Sequence, residues 1–180
     1  AFLCVMLTVF GLSMSVSTAK IAKADDTTAV AKIGETKYAK LSDAVTAAAE
    51  GDTVTLLADA SEDVVVDKNI TLDLGGKTLT GTNSGKATVS IQNGATTTVK
   101  NGSIVGSNSY YTIEIIKGSN ATATFEDLTA TAGNTGSSMI DNWGTLTITS
   151  GTYFGGLNVV KSDEGSTLVI NGGKFTLNYS

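Results

Sequence analysis

At 180 residues the chain is long enough for one domain with a real core. Its twelve basic residues are all Lys, and it contains no Arg, His or Pro, so it lacks both the bidentate fork that grips carboxylates and phosphates and the usual general base near neutral pH. A formal net charge of −5, which becomes −7 if Lys20 and Lys23 leave with a leader, argues against a nucleic-acid partner.

Charged residues make up only 16% of the chain while Thr, Ser, Gly, Asn and Ala dominate, which excludes a charge-rich disordered tail and points to an all-β surface protein. Residues 1–14 (AFLCVMLTVFGLSM) are almost wholly apolar. Two small-x-small sites follow, Ser17-Thr18-Ala19 and Ala22-Lys23-Ala24, and the segment reads as a signal peptide, residues 1–24, cut before Asp25. Neither an initiating Met nor a basic region precedes the apolar run, so the start of the leader is expected to be missing. An uncleaved membrane anchor is the competing reading, although the run is shorter than the roughly 20 residues a span requires. Cys4 lies inside the leader, so the exported chain would carry no Cys and would rely on packing rather than disulfides.

Residues 25–51 read as a linker, a hairpin and a helix. The 25–31 stretch (DDTTAVA) is small and polar, a linker or a first strand. In 32–40 (KIGETKYAK) a Gly-Glu-Thr turn between two short apolar patches predicts a hairpin. Ser42 is the expected N-cap of the one good helix, with Asp43 in its first turn and Gly51 as C-cap.

From residue 52 to residue 180 the pattern has period two, which sends alternate side chains to opposite faces of a strand. Ile70, Leu72 and Leu74 alternate with Thr71 and Asp73, and Leu146 and Ile148 alternate with Thr145, Thr147 and Thr149. First strands at 64–66, 89–91, 113–115, 139–141 and 158–160 recur at intervals of 25, 24, 26 and 19 residues. Each is followed by a turn such as Asn93-Gly94 or Trp143-Gly144, a second strand, another turn such as Asn101-Gly102, and a shorter third strand. A unit of this size cannot bury an apolar face alone, so the units must stack. The expected fold is a right-handed parallel β-helix of five to six three-strand coils in three sheets, with Thr outward and the helix at 41–49 covering the N-terminal end. Absence of Pro fits strands paired on both sides. A β-sandwich also has short Thr-rich strands, but it does not predict three turn registers repeating together. Because no polar cap follows the last third strand, the β-helix is expected to continue in a longer protein.

The 31–81 passage, with its Leu-Ser-Asp-Ala-Val helix, Gly-Asp-Thr-Val-Thr-Leu-Leu and Lys-Asn-Ile-Thr-Leu-Asp-Leu-Gly-Gly-Lys-Thr-Leu, resembles the opening of β-helix regions in bacterial secreted and cell-surface proteins of the pectin lyase-like fold. Later Gly-Thr-Tyr-Phe and Gly-Lys-Phe-Thr segments look like coil ends of the same group. The resemblance covers about 150 residues and implies architecture more than activity, since the fold hosts lyases, hydrolases, adhesins and inert stalks.

A pectate lyase of that fold would need calcium-binding carboxylates and an Arg or Lys base; with no Arg, only a Lys such as Lys77, Lys100 or Lys174 could serve, and each adjoins a Gly turn where a solvated Lys is ordinary. A polygalacturonase would need a His. The pairs Glu62-Asp63, Glu126-Asp127 and Asp163-Glu164 read as solvated surface acids, leaving calcium possible but unsupported and no other cofactor expected. Asn93, Asn101 and Asn171 read as turn residues. The candidate ligand-binding residues are aromatic: Trp143, at a turn register otherwise held by Lys68, Asn93, Lys117 and Glu164, with Tyr110, Tyr111 and Tyr153 on neighbouring coils, all able to stack on sugar rings. Single aromatics can equally cover the edge of a core. The expected function is a noncatalytic, secreted or cell-surface β-helix, monomeric, acting as a stalk, adhesin or module for polysaccharide or for cell-wall or host glycan. The alternative is a polysaccharide lyase or glycoside hydrolase with its active site largely in a missing C-terminal part.

Overall fold

A computed structural model describes residues 28–108 and 110–178. The proposed leader, residues 1–24 with Cys4, and the first residues of the proposed linker lie outside them.

In chain order, β1 (Ala31–Ile33) and β2 (Thr36–Tyr38) form an antiparallel hairpin and α1 (Leu41–Ala47) follows. A partial coil comes next, β3 (Thr53–Leu56) and β4 (Ala60–Ser61). The first full coil is β5 (Val64–Val66), β6 (Thr71–Asp73) and β7 (Thr78–Thr80). The second and third are β8 (Val89–Ile91) with β9 (Thr96–Val105), and β10 (Ile113–Ile115) with β11 (Thr122–Thr131). Then come β12 (Ile140–Asn142), β13 (Thr145–Ile148) and β14 (Gly151–Phe154), and finally β15 (Val160–Ser162), β16 (Thr167–Ile170) and β17 (Lys174–Thr176). Every coil pairs in parallel with the next, so the chain is an all-β parallel solenoid of about five turns with a single short helix.

Three rows of strands are present, but they make two hydrogen-bonded sheets rather than three. First strands form a five-stranded sheet, whereas the second and third rows belong to one twelve-stranded sheet. The fusion occurs in β9 and β11, each ten residues long. Asn101 (φ 58°) and Asp127 (φ 46°) take the left-handed conformation there and kink the strand without ending it. Asn and Asp reach that region more readily than other side-chain-bearing residues, and equivalent kinks stack, so the ladder skips that one position and resumes in register beyond it. The fourth and fifth first strands begin at Ile140 and Val160, one and two residues later than the alternation suggested.

Ladder register lines up the core. Val54, Leu72, Val99, Phe125, Ile148 and Ile170 occupy one inward column, and Ala60, Leu79, Ile104, Ala130, Tyr153 and Phe175 another. Each large side chain fully buried in such a column contributes about 1.5–3 kcal/mol.

At the N-terminal end β1 pairs antiparallel with β3, and α1 packs its buried Leu41, Ala44 and Val45 over the core. The helix ends are capped from a distance and not by the local residues expected. Lys40 occupies the N-cap position without a side-chain bond, and the backbone N–H groups of Leu41 and Ser42 donate to the Glu62 carboxylate at 2.8 and 3.0 Å. Ala48 is the C-cap, and Lys68 Nζ donates to the carbonyls of Thr46 (2.6 Å) and Ala48 (2.9 Å). The coil beneath thus satisfies both ends of a helix too short to stabilise itself.

Candidate functional site

Outward positions in the first-strand sheet form the column Val65, Ser90, Glu114, Asp141 and Lys161. The column turns from apolar to charged along the axis, and its charged half carries a polar cluster built on Asp141. The Trp143 indole N–H donates to Asp141 Oδ2 at 2.8 Å. Lys161 Nζ donates to Asp141 Oδ1 at 3.2 Å and to Asp163 Oδ2 at 2.7 Å. Roofed in this way, Asp141 is only 2% exposed. Lys117 Nζ stands 4.2 Å from the Trp143 ring centroid and Lys161 Nζ 5.3 Å from it, both within cation–π range.

Trp143 is half-buried and rigidly held, and its register differs from the one expected. Ile115 pairs with Asn142, so Trp143 follows the strand directly, aligned with Ile116 and Asp163 and not with Lys117 and Glu164. The cause is a short corner: only Trp143 and Gly144 separate β12 from β13. Buried Asn142 substitutes for the missing backbone, its amide donating to Ser162 Oγ and the Thr167 carbonyl, both at 3.0 Å, and its oxygen accepting from Gly144 N–H at 3.1 Å. A Cβ on Gly144 would collide with the Ala121 carbonyl and the Ile115 side chain, so the tight corner requires glycine.

Tyr110 and Tyr111 lie half-buried in the segment leading into β10, ring centroids 4.7 Å apart and tilted by 55°. The Asn134 amide holds this segment by donating to the Tyr110 carbonyl at 3.3 Å. Both phenols feel the charges of Glu114 and Asp141, and both are raised above the ordinary tyrosine value, chiefly by burial. Burial also pushes Glu114 upward, and the neighbouring Asp141 adds to it. For Asp141 itself burial pushes upward, while the hydrogen bonds from Lys161 and Trp143 oppose it. Lys161 is raised above the ordinary lysine range, first through its hydrogen bond to Asp163.

Three of the four expected aromatics therefore share one electrostatic neighbourhood around Asp141. Tyr153 does not belong to it. It is fully buried, stacks on Phe175 at 5.0 Å with 10° between the planes, and donates its hydroxyl to the Ser150 carbonyl at 2.9 Å. Its position in β14 points inward, so it is a core residue that no surface ligand reaches.

The acidic pairs are also more than solvated charges. Glu62 caps α1, Asp63 accepts from the Thr82 N–H and hydroxyl, Asp127 accepts from Ser150, and Asp163 holds Lys161. Asn93 takes the left-handed conformation in the turn expected of it, whereas Asn101 takes it as a kink inside β9 and not in a turn between two strands. Among the described residues no group of three or more His, Cys, Asp or Glu side chains is placed to hold a metal ion.

Sequence reasoning missed Asp141, Glu114, Lys117 and Lys161 as companions of Trp143. Reading the fourth first strand as 139–141 put Asp141 at the inward register of Ile115. The available signal was the ladder itself, in which Glu114, Asp141 and Lys161 fall on equivalent outward positions once Asn142 is allowed inside.

Fold and site together define a parallel β-solenoid bearing an anchored aromatic platform with mixed charge. Compared with protein-family models, with curated proteins and with solved structures, the chain matches none.

Proposed function

We propose that the chain is a noncatalytic, exported β-solenoid of the cell surface, related to the pectin lyase-like group, that serves as a stalk or adhesin and binds glycan through Trp143, Tyr110 and Tyr111. The observation that carries this reading is the Trp143 ring: half-buried, and fixed by its bond to Asp141, whose charge both tyrosines also feel. A ring already immobilised loses little entropy when a sugar stacks on it, and nearby hydrogen-bonding groups can meet the sugar hydroxyls. The export-like leader and the absence of His and Arg support the surface, nonenzymatic part of the reading.

A glycan array tests it. Trp143→Ala is expected to weaken binding by about 2 kcal/mol, roughly thirty-fold, in a variant that keeps its fold. Equal binding by the folded variant and the parent would refute the assignment. One observation favours the hydrolase alternative: Glu114 and Asp141 are in-register neighbours, and Glu114 is biased toward its protonated form as a general acid requires. New reducing ends from a polysaccharide, abolished by Glu114→Gln, would decide for that alternative.

A further inference from the structure

The second-strand face differs from the platform in being regular. Thr96, Thr122, Thr145 and Thr167 form one outward column in unbroken register. Two residues along, Thr71, Thr98, Thr124 and Thr147 form a second column, which Val169 continues. Parallel pairing spaces the rungs by about 4.8 Å, and two residues of extended chain separate the columns by about 6.6 Å. Both columns are free of charge; charged side chains enter only at the next position, with Asp73, Lys100 and Glu126. Among the described residues none of these hydroxyls donates to or accepts from a protein group, whereas those of Thr88, Thr112 and Thr149 are spent on backbone carbonyls. Val169 is 41% exposed, so where the hydroxyl is absent the branched shape and methyl persist.

We infer that this threonine face binds ice. A rectangular array of methyl and hydroxyl groups repeating at these two spacings matches a periodic solid better than a flexible solute; the rung spacing lies close to the shorter oxygen repeat on a prism face of hexagonal ice, and the column spacing falls somewhat short of the longer one. Waters seated between methyls and bonded to the free hydroxyls would be ordered in the same pattern, and could join the lattice without rearrangement. Strand preference alone accounts for Thr on an outward face but not for two uncharged columns with idle hydroxyls. The third-strand face shows the difference: its columns are interrupted by Phe154 and Lys174.

The test is slow growth of a single ice crystal from a dilute solution of the chain, measuring protein in the ice and the crystal's shape. Enrichment in ice and faceting are expected, with loss of both in Thr124→Lys and in Thr147→Lys and retention in Thr129→Lys on the other face, all at matched melting temperatures. Exclusion of the parent chain from ice, as for an ordinary solute, would overturn the inference. So would equal loss in the Thr129→Lys variant.

Discussion

The fourth and fifth coils carry nearly the same strand in the same register, yet their side chains have different surroundings. Leu146 pairs with Leu168 and Ile148 with Ile170. Ile148 is fully buried, whereas Ile170 is 49% exposed. Both point inward, so alternation is identical, and Ile148 differs in being covered by the next described coil. In a solenoid, inside is a property of the neighbouring coil and not of the residue. At the other end the hairpin and α1 supply that neighbour, and Leu41, Val54 and Leu56 are buried there.

The largest expected effect exploits this pair. Ile148→Ala should lower unfolding free energy by about 3 kcal/mol, through lost transfer energy and a cavity the packed column cannot close. In the 180-residue chain Ile170→Ala should cost less than about 1 kcal/mol, because solvent reaches the side chain there. Equal costs in chemical denaturation would mean that burial does not follow coil position. Next in size, Glu62→Ala leaves two α1 N–H groups without an acceptor and should cost about 1–2 kcal/mol, with faster amide exchange at Leu41 and Ser42. Unchanged exchange there would show that the remote cap is dispensable.

A smaller effect of opposite sign is expected at Thr97, which interrupts the inward column shared with Ala123, Leu146 and Leu168. Its Oγ1 is buried without a hydrogen-bond partner. Thr97→Val keeps the shape and removes the stranded hydroxyl, so stability should rise by about 1 kcal/mol; a loss would show that the hydroxyl is satisfied. The smallest effect concerns pH. Glu114 is raised in the folded state, so folding takes up a proton there, and the fold gains stability as pH falls through the raised value toward the ordinary carboxylate value. Glu114→Gln should therefore be slightly more stable than the parent at neutral pH, with the advantage vanishing in acid. Thermal melts across pH decide it, and an advantage that persisted in acid would contradict the assignment.

Much of this organisation was legible in sequence because a solenoid writes its fold as repetition. Alternation in 70–74 and 145–149, the spacing of the coils and the Gly-Glu turn of the hairpin all came through as local patterns. What stayed hidden was non-local or broke the alternation. Asn142 is polar yet inward, which displaced the fourth strand and concealed the Asp141–Trp143–Lys161 cluster. The cap of α1 comes from Glu62, 21 residues on from Leu41, which no window around Ser42 reveals. Tyr153 was indistinguishable from a surface aromatic because its stacking partner, Phe175, lies one coil further on.

In-register stacking along one axis underlies both faces and the core, and one distance tests it. Thr71 and Val169 share a column through Thr98, Thr124 and Thr147, so four rungs at about 4.8 Å should separate their backbones by about 19 Å. Spin labels at Thr71→Cys and Val169→Cys, in a chain with Cys4 replaced, should give a narrow distance distribution near that value after allowance for the tethers. A broad distribution, or one centred far from it, would contradict the stacking.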